Sequence, residues 1–125
     1  MPTQANLLGA GCAPLQCRAS MGFPSSALTA LGTTQGTALV LPTDFNIFTT
    51  TATATGAILP ATGFQYQITD TIIVVNHGAN ALLVYPPVGG TIANAAVNTP
   101  LSVPAGKASW FLIVATNAYA ASVSA

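Results

Sequence analysis

The sequence predicts an all-β protein, an antiparallel, jelly-roll-like β-sandwich of about eight short strands with an extended N-terminal arm. Threonine is very frequent, and β-branched side chains fit a pleated sheet. Glycine, proline and asparagine interrupt the chain so often that the candidate strands recur every ~8–12 residues, as in sandwiches and barrels. No segment has the 3.6-residue apolar stripe of an amphipathic helix. The 125 residues are 51% hydrophobic, which predicts one domain with a real core and argues against whole-chain disorder.

Residues 1–25 differ from the rest and are predicted to form the extended arm, while residues 26–125 form the sandwich domain. Prolines in the arm disfavour helix and central strand: Pro2, Pro14 and Pro24. Leu7, Leu8 and Leu15 are candidate anchors in apolar grooves of a partner. The alternative is a terminus without fixed contacts.

The first half of the domain contains four strand candidates. Residues 29–31 and 37–39 both read Thr-Ala-Leu, which indicates two strands around a loop at 32–36. Asp44 leads into a threonine-rich strand that Gly56 ends. Residues 64–68 alternate between large apolar residues and glutamine, a pattern typical of a half-buried strand.

The second half contains the most apolar candidates. Thr71–Asn76 has four consecutive β-branched apolar residues and therefore needs cover on both faces. The loop at 77–80 predicts a hairpin to Leu82–Tyr85. A turn at 104–107 joins Leu101–Val103 to Ala108–Ala115, and a turn at 116–118 leads to a closing strand, Tyr119–Val123.

Charge is very scarce. The formally charged side chains are Arg18, Lys107, Asp44 and Asp70, and the net charge is zero. Phosphate neutralisation needs several cations, so nucleic acid is not expected as a partner. A membrane is not expected either, because the chain has no polybasic cluster, no apolar run of ~18–20 residues and no recognisable secretory signal.

The sequence predicts no enzyme and no cofactor. It has no nucleophile elbow, P-loop or dinucleotide-binding motif. Asp70 and His77 flank a predicted strand and would lie roughly 23 Å apart. Asp44 and Asp70 form the only possible carboxylate pair, but both stand at turn boundaries, where aspartate commonly caps a turn. An approach of Asp44 to His77 stays open.

No metal site is predicted. Cys12 and Cys17 are the only cysteines, and a metal would need two further ligands. A local disulfide is one alternative, and two free thiols in a protein assembled inside the cell is the favoured one.

The candidate interaction residues are Leu7, Leu8, Leu15, Arg18 and Trp110. Arg18 either pairs with a carboxylate of a partner or is solvated. Trp110 and Phe111 are adjacent in a strand and face opposite sides, so one enters the core and the other faces solvent, a sugar or a neighbouring subunit. Tyr85 and Tyr119 are the other aromatic residues considered for stacking on a carbohydrate.

Two stretches, residues 73–92 and 103–111, resemble small β-rich virion proteins of tailed bacteriophages, of the head decoration or cement type. The resemblance implies a structural subunit that binds the outer capsid as a dimer or trimer and bridges neighbouring capsomers. Its partners would be the major capsid protein and copies of itself, and its location the capsid surface after assembly in the host cytoplasm. The resemblance implies no active-site residues.

Two other function classes remain as alternatives. One is a receptor- or carbohydrate-binding module of a phage fibre or spike, which Trp110 would serve. The other is a hydrolase that uses Asp44 or His77.

Overall fold

The computed structural model describes residues 24–63 and 65–125, and these are nearly all β structure. One 3₁₀ turn, Gln35–Thr37, interrupts the strands. The ten strands of the described part of the chain are β1 (Pro24–Thr29), β2 (Leu39–Val40), β3 (Phe45–Thr50), β4 (Gly56–Ile58), β5 (Thr71–Asn76), β6 (Leu82–Tyr85), β7 (Thr91–Ile92), β8 (Leu101–Val103), β9 (Ala108–Ala115) and β10 (Ala118–Val123).

The strands form two mixed sheets. The six-stranded sheet has the order β1-β3-β5-β9-β10-β7, and the four-stranded sheet has the order β2-β4-β6-β8. From β1 to β8 the chain alternates between the two sheets. As a result β1, β3 and β5 are parallel neighbours in one sheet, and β2, β4 and β6 are parallel neighbours in the other.

The predicted antiparallel pairing is therefore wrong for most strand pairs of the described residues. The antiparallel pairs are β5–β9, β9–β10 and β6–β8, whereas the other five pairs are parallel. These are not the strand directions of an antiparallel jelly roll. Parallel neighbours need a crossover, and here a strand in the opposite sheet supplies it in place of a helix.

Several predicted strands are confirmed, but some of their connections are not. The bounds of β5, β6, β8 and β9 agree with the prediction. The loop at 77–81 does not close a hairpin, because β5 and β6 belong to different sheets. The threonine-rich strand ends at Thr50, and Gly56 begins the next strand.

The predicted strand at 64–68 is wrong for residues 65–68, which form turns and irregular backbone. Phe64 lies outside the described residues, and so do residues 1–23 of the predicted arm. Strand β1 begins at Pro24, within that arm, and proline is acceptable at the first position of an edge strand.

One hydrophobic core cluster draws side chains from both sheets. Phe48, Ile72 and Phe111 come from the six-stranded sheet, and Leu82 and Val84 come from the four-stranded sheet; all are fully buried. Burial of this apolar surface is the main favourable term in folding.

The side chain of Asn76, at the end of β5, forms hydrogen bonds that connect the two sheets. Its side chain is fully buried, and its amide donates hydrogen bonds to the carbonyls of Asn80 (2.8 Å) and Val103 (2.9 Å). The Gly78 N–H donates to its Oδ1 atom (3.0 Å). Because Val103 belongs to β8 in the opposite sheet, this polar side chain fixes the sheets relative to each other.

Candidate interaction surface

The six-stranded sheet has an outward side that bears no charged side chain. Side chains alternate along β3, β5 and β9, so every second residue points away from the core. We call these outward residues of β3, β5 and β9 the outer face. Its large apolar members are Phe45, Ile47, Ile73, Val75, Trp110, Leu112 and Val114.

Trp110 lies on β9, at the side of the outer face that adjoins β10. In the strand register it stands beside Ile73 of β5 and Ser122 of β10, and Phe45 of β3 continues the same row. Its side chain is 41% exposed, whereas the next residue, Phe111, is fully buried. The prediction that the two rings face opposite sides, with one in the core, is confirmed.

Phe111, the buried neighbour of Trp110, packs against Tyr119 and so anchors β9 to the core. The Phe111 ring meets the ring of Tyr119 edge-on, with centroids 6.5 Å apart. The Tyr119 hydroxyl donates a 2.7 Å hydrogen bond to the Pro60 carbonyl. Burial, and then the nearby Tyr66 and Asp70, raise the pKa of Tyr119, so this hydroxyl stays protonated and keeps its hydrogen bond.

Next to Trp110 the surface changes from large to small side chains. The outward residues of β10 are Ala118, Ala120 and Ser122. In register Ala120 stands beside Leu112 and Ser122 beside Trp110, whereas Ala118 pairs with Ala115 across a register shift. We call these three residues the β10 trough. The short strand β7 pairs only with Ala118 and Tyr119, so it does not continue along the Ala120–Val123 part of β10.

The charged side chains of the described residues lie at strand ends. Asp44 and Asp70 directly precede β3 and β5, and Lys107 directly precedes β9. Since β9 runs antiparallel to β5, Lys107 is at the opposite end of the sheet from the two aspartates. Lys107 donates to the carbonyl of Ala125. The expectation that these three charges fall outside strands is confirmed, and the outer face between the two ends is uncharged.

The groups considered for catalysis are not brought together with His77. Because Phe45 aligns with Ile73, Asp44 stands five residues before the level of His77, a separation of ~17 Å along the strands. Asp70 is farther away, at the start of β5. His77 itself is an exposed loop residue.

Asp44 and Asp70 both lie near Tyr66. Burial, then Asp44, then Asp70 raise the pKa of Tyr66. Asp70 also forms the predicted turn, because its carboxylate accepts a 2.8 Å hydrogen bond from the Gln67 N–H. The arrangement keeps the phenol protonated beside two acids.

Two of the three aromatic residues considered for sugar stacking are buried. Tyr85 is 8% exposed and Tyr119 is 2% exposed, and their hydroxyls hydrogen-bond to backbone carbonyls. Trp110 is therefore the member of this set with a ring available for contact.

Leu7, Leu8, Leu15 and Arg18 lie outside the described residues, as do Cys12 and Cys17. Within residues 24–63 and 65–125, no three His, Cys, Asp or Glu side chains are grouped as metal ligands would be. The same residues contain no helix that is long and apolar enough to span a membrane.

Sequence patterning found Trp110, but it missed the β10 trough. The sequence signal that could have found the β10 trough is the two-residue alternation in Ala118–Val123, which places Ala118, Ala120 and Ser122 on one side of the strand. Comparisons of the chain with protein-family models, with curated proteins and with solved structures found no match.

Proposed function

We propose that this protein is a structural virion subunit that decorates the outer capsid shell of a tailed bacteriophage and bridges neighbouring capsomers. In this proposal its partners are the major capsid protein and copies of itself. The observation that carries the proposal is the uncharged, apolar outer face, which includes the exposed Trp110. A sheet face of this kind is suited to permanent contact with other protein surfaces.

The finer architecture in this proposal is a β-sandwich. Both sheets contribute to one core cluster, so each sheet has an inward side. The inward side of the four-stranded sheet faces that core, and its other side carries Tyr85, which packs close to Gly56. In this proposal the outer face of the six-stranded sheet is the apolar surface that a neighbour would cover.

The scarcity of charge is consistent with a subunit that is packed among many copies in a capsid shell. Proteins that remain separate in solution usually carry many surface charges of both signs. Here the chain has four, and the three among the described residues lie at strand ends. Near-neutral subunits avoid summed repulsion when many copies sit side by side, and repeated weak apolar contacts gain strength through avidity.

The carbohydrate-binding alternative receives less support from the same surface. An aromatic platform for a sugar normally works with polar groups that bind the hydroxyls. Around Trp110 the register neighbours are Ile73, Phe45 and the small residue Ser122. The outer face therefore supplies a stacking ring but few hydrogen-bonding partners.

The test is reconstitution on particles that lack the protein. Purified full-length chain is mixed with such capsids, the particles are pelleted, and the bound copies are counted. The proposal predicts saturable binding at hundreds of copies per particle and increased resistance of the shell to heat. Absence of binding to capsids, together with binding on a glycan array that Trp110→Ala abolishes, would establish the alternative instead.

Removal of residues 1–23 tests the predicted arm in the same assay and leaves strand β1, which begins at Pro24, intact. If the arm reaches across subunits, the truncated chain occupies fewer sites. Unchanged occupancy would show that the arm has no part in attachment.

A further inference from the structure

We propose that residues 7–18 of this chain fold back over the outer face of their own subunit. In this arrangement the leucines of the segment pack on the apolar side chains of the face, and Arg18 lies at the end of the sheet that bears Asp44 and Asp70. The inference goes beyond the proposed function, because it concerns the subunit before it meets a capsid, where a neighbour can later take the place of the segment.

The chain enters the six-stranded sheet directly beside the outer face. Strand β1 begins at Pro24 at the edge of the sheet, and in the strand register Pro24 stands beside Phe45, the first residue of the face on β3. The same row continues through Ile73 of β5 to Trp110 of β9. Neighbouring strands are ~4.8 Å apart, so the segment joins the sheet within ~14 Å of Trp110.

The segment has the length that the outer face requires. Leu7 and Leu15 are eight residue steps apart, which is ~26 Å of extended chain, and β9, the longest strand of the face, has eight residues and a similar length. Five residues separate Arg18 from Pro24. This connection spans up to ~20 Å when extended, so it is long enough to turn the chain back onto the face.

Charge complementarity sets the direction of the segment. Strands β1, β3 and β5 run parallel and begin at the same end of the sheet, where Asp44 and Asp70 directly precede β3 and β5. Lys107 stands at the opposite end. Arg18 is the only charged side chain in residues 1–23, so it is attracted to the end at which the chain enters the sheet. Exposed ion pairs add little stability, so this contact directs the segment and apolar contacts hold it.

The leucines of the segment match the apolar character of the face. Trp110 and Val114 of the face are 41% and 49% exposed. A leucine that moves from water onto these side chains gains the hydrophobic contribution of the buried surface, and the small residues of the β10 trough leave room for it beside the Trp110 ring. A contact within one chain loses no translational freedom of a separate partner, so a face of modest area is sufficient.

The cysteines of the chain allow this contact to be measured in the full-length protein. Cys12 lies within the segment, and Cys17→Ser leaves it as the single thiol. A nitroxide label on Cys12 broadens the NMR signals of nearby nuclei, and Trp110, the only tryptophan, gives one indole N–H signal. We expect this signal to lose most of its intensity in dilute labelled protein and to regain it when ascorbate reduces the label. The amide signal of Ser102, on β8 in the other sheet, should change much less.

A matched pair of adjacent substitutions tests the apolar contact. Leu15→Asp and Gln16→Asp each add one negative charge, but only Leu15→Asp removes an apolar side chain. We expect Leu15→Asp to restore the Trp110 signal of the labelled protein and to increase quenching of Trp110 fluorescence by acrylamide, whereas Gln16→Asp changes both much less. Arg18→Gln should restore part of the signal, and Arg18→Lys, which keeps the charge, should not.

Each outcome bears on the proposal. Broadening at Trp110 that is independent of protein concentration and is relieved by Leu15→Asp supports it, with circular dichroism to establish that the variants are folded. Absence of broadening at Trp110, or equal effects of Leu15→Asp and Gln16→Asp, would overturn it. So would broadening of an isotope-enriched, label-free chain by a labelled, unenriched one, because the segment would then lie on another copy. Capsid binding plays no part in these measurements, so either proposal can fail while the other stands.

Discussion

Replacement of Asn76 by alanine should destabilise the protein strongly, because its buried side chain connects the two sheets. The change removes two donors and one acceptor. The Asn80 carbonyl keeps a 2.8 Å hydrogen bond from Thr51 Oγ1, so its loss is partly compensated. The partly buried Gly78 N–H loses its side-chain acceptor, and the buried Val103 carbonyl loses a donor. An unsatisfied buried group costs ~1–3 kcal/mol.

The magnitude follows from these losses and from the cavity that the smaller side chain leaves. Together they predict a loss of about 3 kcal/mol in the free energy of unfolding. For a domain of this size each kcal/mol lowers Tm by ~4–8 °C, so the melting temperature should fall by roughly 12–24 °C. Thermal melting by circular dichroism and urea unfolding measure both quantities, with the exposed Thr53→Ala as the control.

A second variant separates the hydrogen bonds from the cavity. Asn76→Asp keeps the shape and the acceptor for Gly78, but an ionised carboxylate donates no hydrogen bond to Val103 and is costly to bury. Burial raises the folded-state pKa of such a carboxyl group, so this variant should regain stability as the pH falls from 7 to 4. A Tm loss below about 3 °C for Asn76→Ala, or no recovery of Asn76→Asp in acid relative to the unsubstituted protein, would show that the Asn76 hydrogen bonds do not hold the two sheets together.

Two further substitutions test local packing and titration. Gly78→Ala should lower the free energy of unfolding by ~1–3 kcal/mol, because its new Cβ would lie 2.0 Å from Thr51 Oγ1. The control Gly36→Ala has open space around it and should change that free energy by less than ~1 kcal/mol. Equal urea midpoints for the two variants would contradict this prediction. Tyr119→Phe removes the hydrogen bond to Pro60, so it should lower stability at pH 7 by ~1 kcal/mol. Since the pKa of Tyr119 is raised in the folded state, the folded protein holds its proton more tightly than the unfolded chain, and stability falls as the pH rises above the ordinary tyrosine pKa of 10.0. The phenylalanine variant should lose less stability than the unsubstituted protein between pH 9 and 11, and parallel pH profiles would contradict the assignment.

The strands could be predicted from the sequence because local chemistry determines them. The β-branched run of Thr71–Asn76 and the apolar run of Ala108–Ala115 have the predicted bounds. The opposite orientations of Trp110 and Phe111 follow from the two-residue period of any strand. These features depend on neighbours in the chain, which the sequence displays.

The sheet topology could not be predicted in the same way. The loop at 77–81 has the residues of a hairpin turn, but it carries the chain from one sheet to the other. The sheet to which each strand belongs depends on core contacts between distant parts of the fold, such as Ile72 and Leu82 in one core cluster. No local sequence pattern encodes these contacts. The β10 trough was missed for a related reason, since Ala118–Val123 gains its meaning only from its position beside β9.

The proposal that the protein is a shell component can be tested by its copy number in virions. Particles of a phage that encodes the chain are purified and analysed by quantitative mass spectrometry, with the major capsid protein as the internal standard. We expect hundreds of copies of the chain per particle, in a fixed ratio to the capsid protein. Absence from the particle, or a count of about a dozen or fewer as expected for a tail or portal vertex, would contradict it.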